Sequence, residues 1–147
     1  MIEIEFDDQK VRIFLKDLQE RLLNLRPALE EIKVYMLSSI EQNFAEGGRP
    51  RRWPPLSEKT IVQRRKKGKW PGQILVQSGH LLGSIEGTVR DDSVIIGTNK
   101  PYAAIHQFGG KAGRGHKVSI PARPYLVFQD EDIEEIKQIL LDYLSQR

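Results

Sequence analysis

Residues 85–98, IEGTVRDDSVIIGT, decide the fold. Ile85–Arg90 and Ser93–Thr98 read as two strands around an Asp91–Asp92 turn, with Val94, Ile95 and Ile96 as the β-branched centre. A hairpin of this kind in a chain whose other long segments carry helical periodicity predicts an α+β domain. It would hold a small antiparallel sheet packed against helices.

Working towards the N-terminus, ILVQSGHLLGS supplies a short apolar run and then a helical turn. Ser78 is placed to cap that turn, and Leu81, Leu82 and Ile85 would face inward. SEKTIVQRRKKG predicts a short helix with Ser57 as N-cap and Gly68 as its stop. RPRRWPPL, at 49–56, cannot form a regular element, because its prolines fix φ and remove backbone donors. Upstream, Leu29, Ile32, Met36, Ile40 and Phe44 form one helical stripe, ended by Gly47 and Gly48. Val11, Phe14, Leu15, Leu18, Leu22 and Leu25 form another. Pro27 separates the two, which leaves either an antiparallel helical hairpin or one kinked helix. Ile2, Ile4 and Phe6 alternate with acids as a half-buried strand does, and Asp7 or Asp8 would cap the first helix.

Towards the C-terminus, PYAAIHQF predicts a short helix stopped at Gly109. GGKAGRGHK reads as a mobile, basic loop, and Val118–Ile120 resumes a strand. IPARPYLVF continues extended, stiffened by Pro121 and Pro124. Asp130–Tyr143 predicts an amphipathic helix with the stripe Ile133, Ile136, Leu140 and Tyr143 or Leu144. Its acidic start suits the positive helix end. No repeat or domain boundary interrupts residues 1–147, so one domain is expected.

Composition narrows the chemistry. The chain has 147 residues, no cysteine and three histidines, so thiolate metal sites and cysteine nucleophiles are excluded. The acidic, alternating start does not read as a signal peptide, and no apolar run approaches the ~18–20 residues of a bilayer span. The expected setting is the cytoplasm, or an assembly built there, with no membrane partner. Net charge is +3, but residues 49–70 hold nine basic groups and one acid, while 1–48 hold six basic and ten acidic. This segment is expected to meet a polyanion or an acidic protein surface, or else to be a solvated basic loop.

Catalysis needs a nucleophile, a base in reach and a group orienting that base. SGH at 78–80 lacks a nucleophile turn, and His106 has no acid within its own helix. Asp130, Asp132 and Glu134 lack the glycine and final glutamate of a calcium loop. GGKAGRGHK lacks the phosphate-loop pattern. A non-enzymatic protein without a cofactor is expected. Trp53 and Trp70 among cations leave nucleic-acid contact through the 49–70 arm as the alternative.

Four runs in order carry a family resemblance: WPPLSEKTIVQRRKKG (53–68), LVQSGHLLGSI (75–85), VIIGTNKPYAAIHQFGG (94–110) and IPARPYLVF (120–128). Trp53, Pro55, Leu56, Ser57 and Thr60, then Ser78, Gly79 and Leu81, then Tyr102, His106, Gln107 and Phe108–Gly110, then Pro121–Leu126 follow its motifs. Ser78 stands where Thr is common. The sequence resembles the phage Mu-type virion morphogenesis family, also called tail completion proteins.

That resemblance implies a structural protein of a tailed phage or prophage. It would complete the head-proximal end of the tail and enable head–tail joining. Its expected partners are further copies of itself in a ring, and tail-tube or head–tail connector proteins. It would end in the tail or neck of the virion. The contact residues expected on the basic arm, about 47–72, are Arg49, Arg51, Arg52, Trp53, Arg64, Arg65, Lys66, Lys67 and Trp70. On the glycine-rich loop, about 109–117, they are Gly109, Gly110, Lys111 and Arg114. His106 and Arg123 complete the set. His106 is expected to hydrogen-bond locally, and Arg123 to pair with an acid within the fold or across an interface.

Overall fold

The computed structural model describes residues 2–3 and 8–145. The element order is α1 (Gln9–Leu23), α2 (Arg26–Glu46), α3 (Glu58–Lys66), α4 (His80–Gly83), β1 (Glu86–Arg90), β2 (Ser93–Gly97), α5 (Ala103–Phe108), β3 (Gly110–Ala112), a 3-10 turn (Arg114–His116), β4 (Val118–Ile120) and α6 (Asp130–Ser145). This is an α+β domain. Its strands form two separate antiparallel hairpins, β1–β2 and β3–β4, rather than one sheet. Arg90 pairs with Ser93, and Asp91 takes φ +52 to close the two-residue turn between them.

α2 is the central element. All five residues of its expected stripe are buried, with Ala28, Ser39 and Asn43 beside them. The β1–β2 hairpin and α6 both pack on it. Its N-terminal half joins Val89 of β1 and Ile139 of α6 in one apolar cluster. Its C-terminal half, through Ile40 and Phe44, joins Trp53, Leu81, Ala103 and Tyr125 in a second. Ile96 of β2 packs against both clusters.

Several expectations change. α1 and α2 are separate helices, but α1 packs on α6 instead of folding back along α2. Arg21 Nη1 donates to the Tyr143 and Leu144 carbonyls, and the Tyr143 hydroxyl donates to the Asn24 carbonyl. No α1 residue is buried: Val11, Phe14, Leu15 and Leu22 are each more than half exposed. On α6, Ile136, Leu140 and Tyr143 of the expected stripe pack against the core beside the buried Ile139, while Ile133 is exposed. Position 79, not Ser78, caps α4, without a side-chain bond. Asp8 sits at the α1 N-cap, where it bonds Arg12 instead of the helix amides. The strand expected over residues 2–6 falls largely outside the described residues, and Ile2 and Glu3 carry no regular structure.

The segment expected as a mobile loop is ordered. Gly110 pairs with Ile120, Lys111 with Ser119 and Ala112 with Val118. Gly109 lies at φ +72, and a Cβ there would stand 2.8 Å from the Ala122 nitrogen and 3.0 Å from the Ile120 carbonyl oxygen. The glycine is required by the close approach of the 120–122 backbone, which makes it a packing point.

Candidate functional site

The proline-rich runs 53–56 and 121–124 have no ladder to satisfy their carbonyls, so side chains must do it. Trp53 Nε1 donates to the Pro124 carbonyl (2.8 Å). Arg123 Nε donates to the Pro54 carbonyl (2.9 Å) and its Nη2 to that of Pro55 (2.8 Å). The Arg123 backbone N–H donates to the His106 carbonyl (2.8 Å). Gln107 then acts as a substitute strand edge. Its Oε1 accepts from the Tyr125 and Leu126 N–H groups (both 3.0 Å), and its Nε2 donates to the Leu126 carbonyl (3.1 Å). The Tyr125 hydroxyl donates to the Ala103 carbonyl (2.8 Å) and so ties the same run to α5.

These contacts bring 53–60, 75–81, 102–106 and 118–123 around one cavity of about 630 Å³. Its lining includes Ser57, Arg64, Ser78, His80, Tyr102, His106 and Arg123, and no acidic residue. Ser57 caps α3, accepting from the Thr60 N–H (3.3 Å), and so sets the helix that carries Arg64. Arg64 and Arg123 are about 95% buried. Arg64 Nη1 donates to the Gln73 carbonyl (2.8 Å), while its buried Nε has no hydrogen-bond partner. The His106 Nδ1 is likewise buried and unpartnered, so the expected local bond from its ring is not made. Tyr102 stands edge-on to the imidazole, with ring centroids 6.1 Å apart. Burial, and then the neighbouring Arg123 charge, hold His106 below the usual imidazole range, which favours its neutral form at pH 7. Burial and the Arg64 charge act on Arg123 in the same direction.

The basic arm is thus divided. Arg49, Trp53 and Arg64 turn inward. Arg49 donates from Nε to Asn43 Oδ1 (2.8 Å), from Nη1 to Glu131 (2.7 Å) and from Nη2 to the Ser39 carbonyl and hydroxyl (both 2.8 Å). Arg51, Arg52, Arg65, Lys66 and Lys67 remain exposed, and Trp70 is half-buried. Lys111 and Arg114 are exposed on the β3–β4 hairpin. Arg123 pairs with carbonyls of the fold instead of with an acid.

Sequence reasoning missed a buried polar hub beneath this arm. Asp132 is fully buried, although an acidic first helical turn ordinarily faces solvent. Its carboxylate accepts from the Tyr35 hydroxyl (3.0 Å), the Ser39 hydroxyl (2.8 Å) and the Gln129 N–H (2.7 Å). Burial, reinforced by this bond to Asp132, pushes the Tyr35 hydroxyl up to about 12. Asn43 Nδ2 donates to the Tyr125 carbonyl (2.8 Å), linking the hub to the PARPYL run. The only available signal for Gln107 was its place inside the HQFGG run.

Residues 6–145 match the family described as the phage virion morphogenesis family. The chain belongs to that family. Its relatives include Mu-like prophage FluMu G protein 2 of Haemophilus influenzae, 41% identical over 99% of this chain and 97% of the relative. The putative capsid assembly protein G of Escherichia phage Mu is 36% identical over 69% of this chain and 67% of its own. FluMu G protein 1 of the same bacterium is 26% identical over 99% and 96%. No solved structure matches. The resemblance is therefore of Mu type, and the four runs that carry it are the ones that fold together around the cavity. Among the described residues, no helix is long and apolar enough to cross a membrane, and no cluster of three His, Asp or Glu could hold a metal.

Proposed function

We propose that this virion morphogenesis protein is a structural, non-catalytic component that completes the head-proximal end of the phage tail and enables head–tail joining. The observation that carries the reading is the convergence of the four family runs. Polar side chains of three of them tie segments 53–55, 103–107 and 123–126 together, and the fourth contributes residues 75–81 to the wall of the same cavity. A nucleophile aligned with a base and an orienting acid would point elsewhere, and the two histidines of the lining have no carboxylate beside them in it. Self-association into a ring follows from the same reading. The open apolar face of α1 supports it, being the surface that a neighbouring copy covers. Tail-tube or connector proteins are the further partners.

Removal of the gene from the phage is expected to leave filled heads and finished-length tails as separate particles in electron micrographs of lysates. Joined virions at normal numbers would overturn the reading. The exposed cations of 51–67 favour a second reading, a nucleic-acid contact from α3 and the run before it. It predicts duplex binding that weakens steeply as salt rises. Absence of duplex binding at low salt removes it.

A further inference from the structure

We infer that the cavity between α3, α4, α5 and the 118–123 run is a carboxylate-binding site, which takes one acidic side chain from an extended segment of a partner protein. The inference rests on the assembly reading only for the source of that segment.

The first observation is charge. Arg64 and Arg123 bring two guanidinium groups into the cavity wall, both about 95% buried. Neither makes an ion pair among the described residues, whereas the somewhat more exposed Arg49 pairs with Glu46 and Glu131. Their hydrogen bonds go to three backbone carbonyls, of Pro54, Pro55 and Gln73. Carbonyls orient a guanidinium but leave its charge uncompensated, and an uncompensated buried charge is costly. An incoming anion supplies what is missing.

The second observation is the pair of unused polar atoms. Arg64 Nε and His106 Nδ1 are buried and without partners, in residues that line the same cavity. Buried polar atoms are ordinarily satisfied, and two orphans in one wall mark a place built for something further. The titratable groups of the lining are Arg64, Arg123, His80, His106 and Tyr102, so nothing in it repels an anion.

The third observation chooses the source of the anion. Leu75, Leu81, Ile120 and Pro121 also line the cavity, which suits an acid carried between apolar neighbours on a peptide. A nucleic-acid backbone would be met by the exposed cations, and Arg51, Arg52, Arg65, Lys66 and Lys67 all lie outside the lining.

The test titrates the full chain with the capped peptide acetyl-Leu-Glu-Leu-Pro-amide, its Glu→Gln analogue and a short DNA duplex, followed by NMR of the arginine Nε–H and histidine ring signals. The expected result is saturable shifts of Arg64 Nε–H with the glutamate peptide in the millimolar range, an upward move of the His106 titration, and at least tenfold weaker binding of the glutamine analogue. Arg64→Lys should weaken the glutamate peptide by a similar factor while melting like the parent chain. Equal binding of both peptides, or no saturable shift with either, overturns the inference even if head–tail joining depends on the protein. Displacement of the peptide by duplex reassigns the cavity to phosphate and also overturns it. If gene removal leaves joining intact while the glutamate peptide still binds, the assembly reading fails and the site stands.

Discussion

Asp132→Ala is expected to lower the melting temperature by roughly 10 °C, from a loss of about 3–4 kcal/mol at a few degrees per kcal/mol for a chain of this size. The carboxylate is fully buried and is the shared acceptor for Tyr35, Ser39 and the Gln129 N–H. Its removal strands three donors at once. It also loosens Ser39, whose hydroxyl and carbonyl both hold Arg49 Nη2. Asp132→Asn keeps the shape and one acceptor oxygen, but it turns an amide toward the donors, so an intermediate loss is expected. Calorimetry on the three proteins checks the order. A melting temperature for Asp132→Ala within about 2 °C of the parent would show that water replaces the carboxylate, and would remove the hub from the account of stability.

Phe44→Ala should cost about 3–5 kcal/mol, the usual range for emptying an aromatic site in a packed core. Phe44 has no exposed surface. Its ring meets Trp53 edge-on with centroids 5.7 Å apart, and Tyr125 at 5.3 Å. It therefore joins α2 to Trp53 and to Tyr125, with Ile40 beside it in the same cluster. The expected readouts are a lower urea midpoint with an unchanged slope, and a red shift of tryptophan emission as Trp53 gains water. An unchanged midpoint would mean that the segments of Trp53 and Tyr125 are held by their hydrogen bonds alone.

The parts of this fold that were legible in the sequence are those governed by local periodicity. The α2 stripe, the β1–β2 hairpin, the Ser57 cap and the α5 stop all follow from spacing and from residues with strong backbone preferences. α1 shows the limit of that signal. Its apolar spacing establishes a face, but no periodicity says whether the same chain covers it, and here Val11, Phe14, Leu15 and Leu22 stay more than half exposed although α1 packs on α6. The basic arm shows a second limit. Nine cations within twenty-two residues look alike in sequence. What sorts Arg49 and Arg64 from Arg51 and Arg65 is where the chain folds back to present acceptors, at Ser39 and Asn43 of α2 for Arg49 and at the Gln73 carbonyl for Arg64. Asp132 was missed for the converse reason. Its partners Tyr35 and Ser39 lie more than ninety residues away, and only the packing of α6 on α2 makes them neighbours. Of the candidate site, the motif residues were legible and the cavity they enclose was not.

Both apolar clusters are strung along α2, and beyond that helix they share little more than Ile96. Trp53, Leu81, Ala103 and Tyr125 of the signature runs belong to one cluster, while Val89 and the α6 residue Ile139 belong to the other. Substitutions in well-separated groups of contacts tend to act independently. Substitutions at one end of this helical beam can therefore accumulate while the packing at the other end is kept.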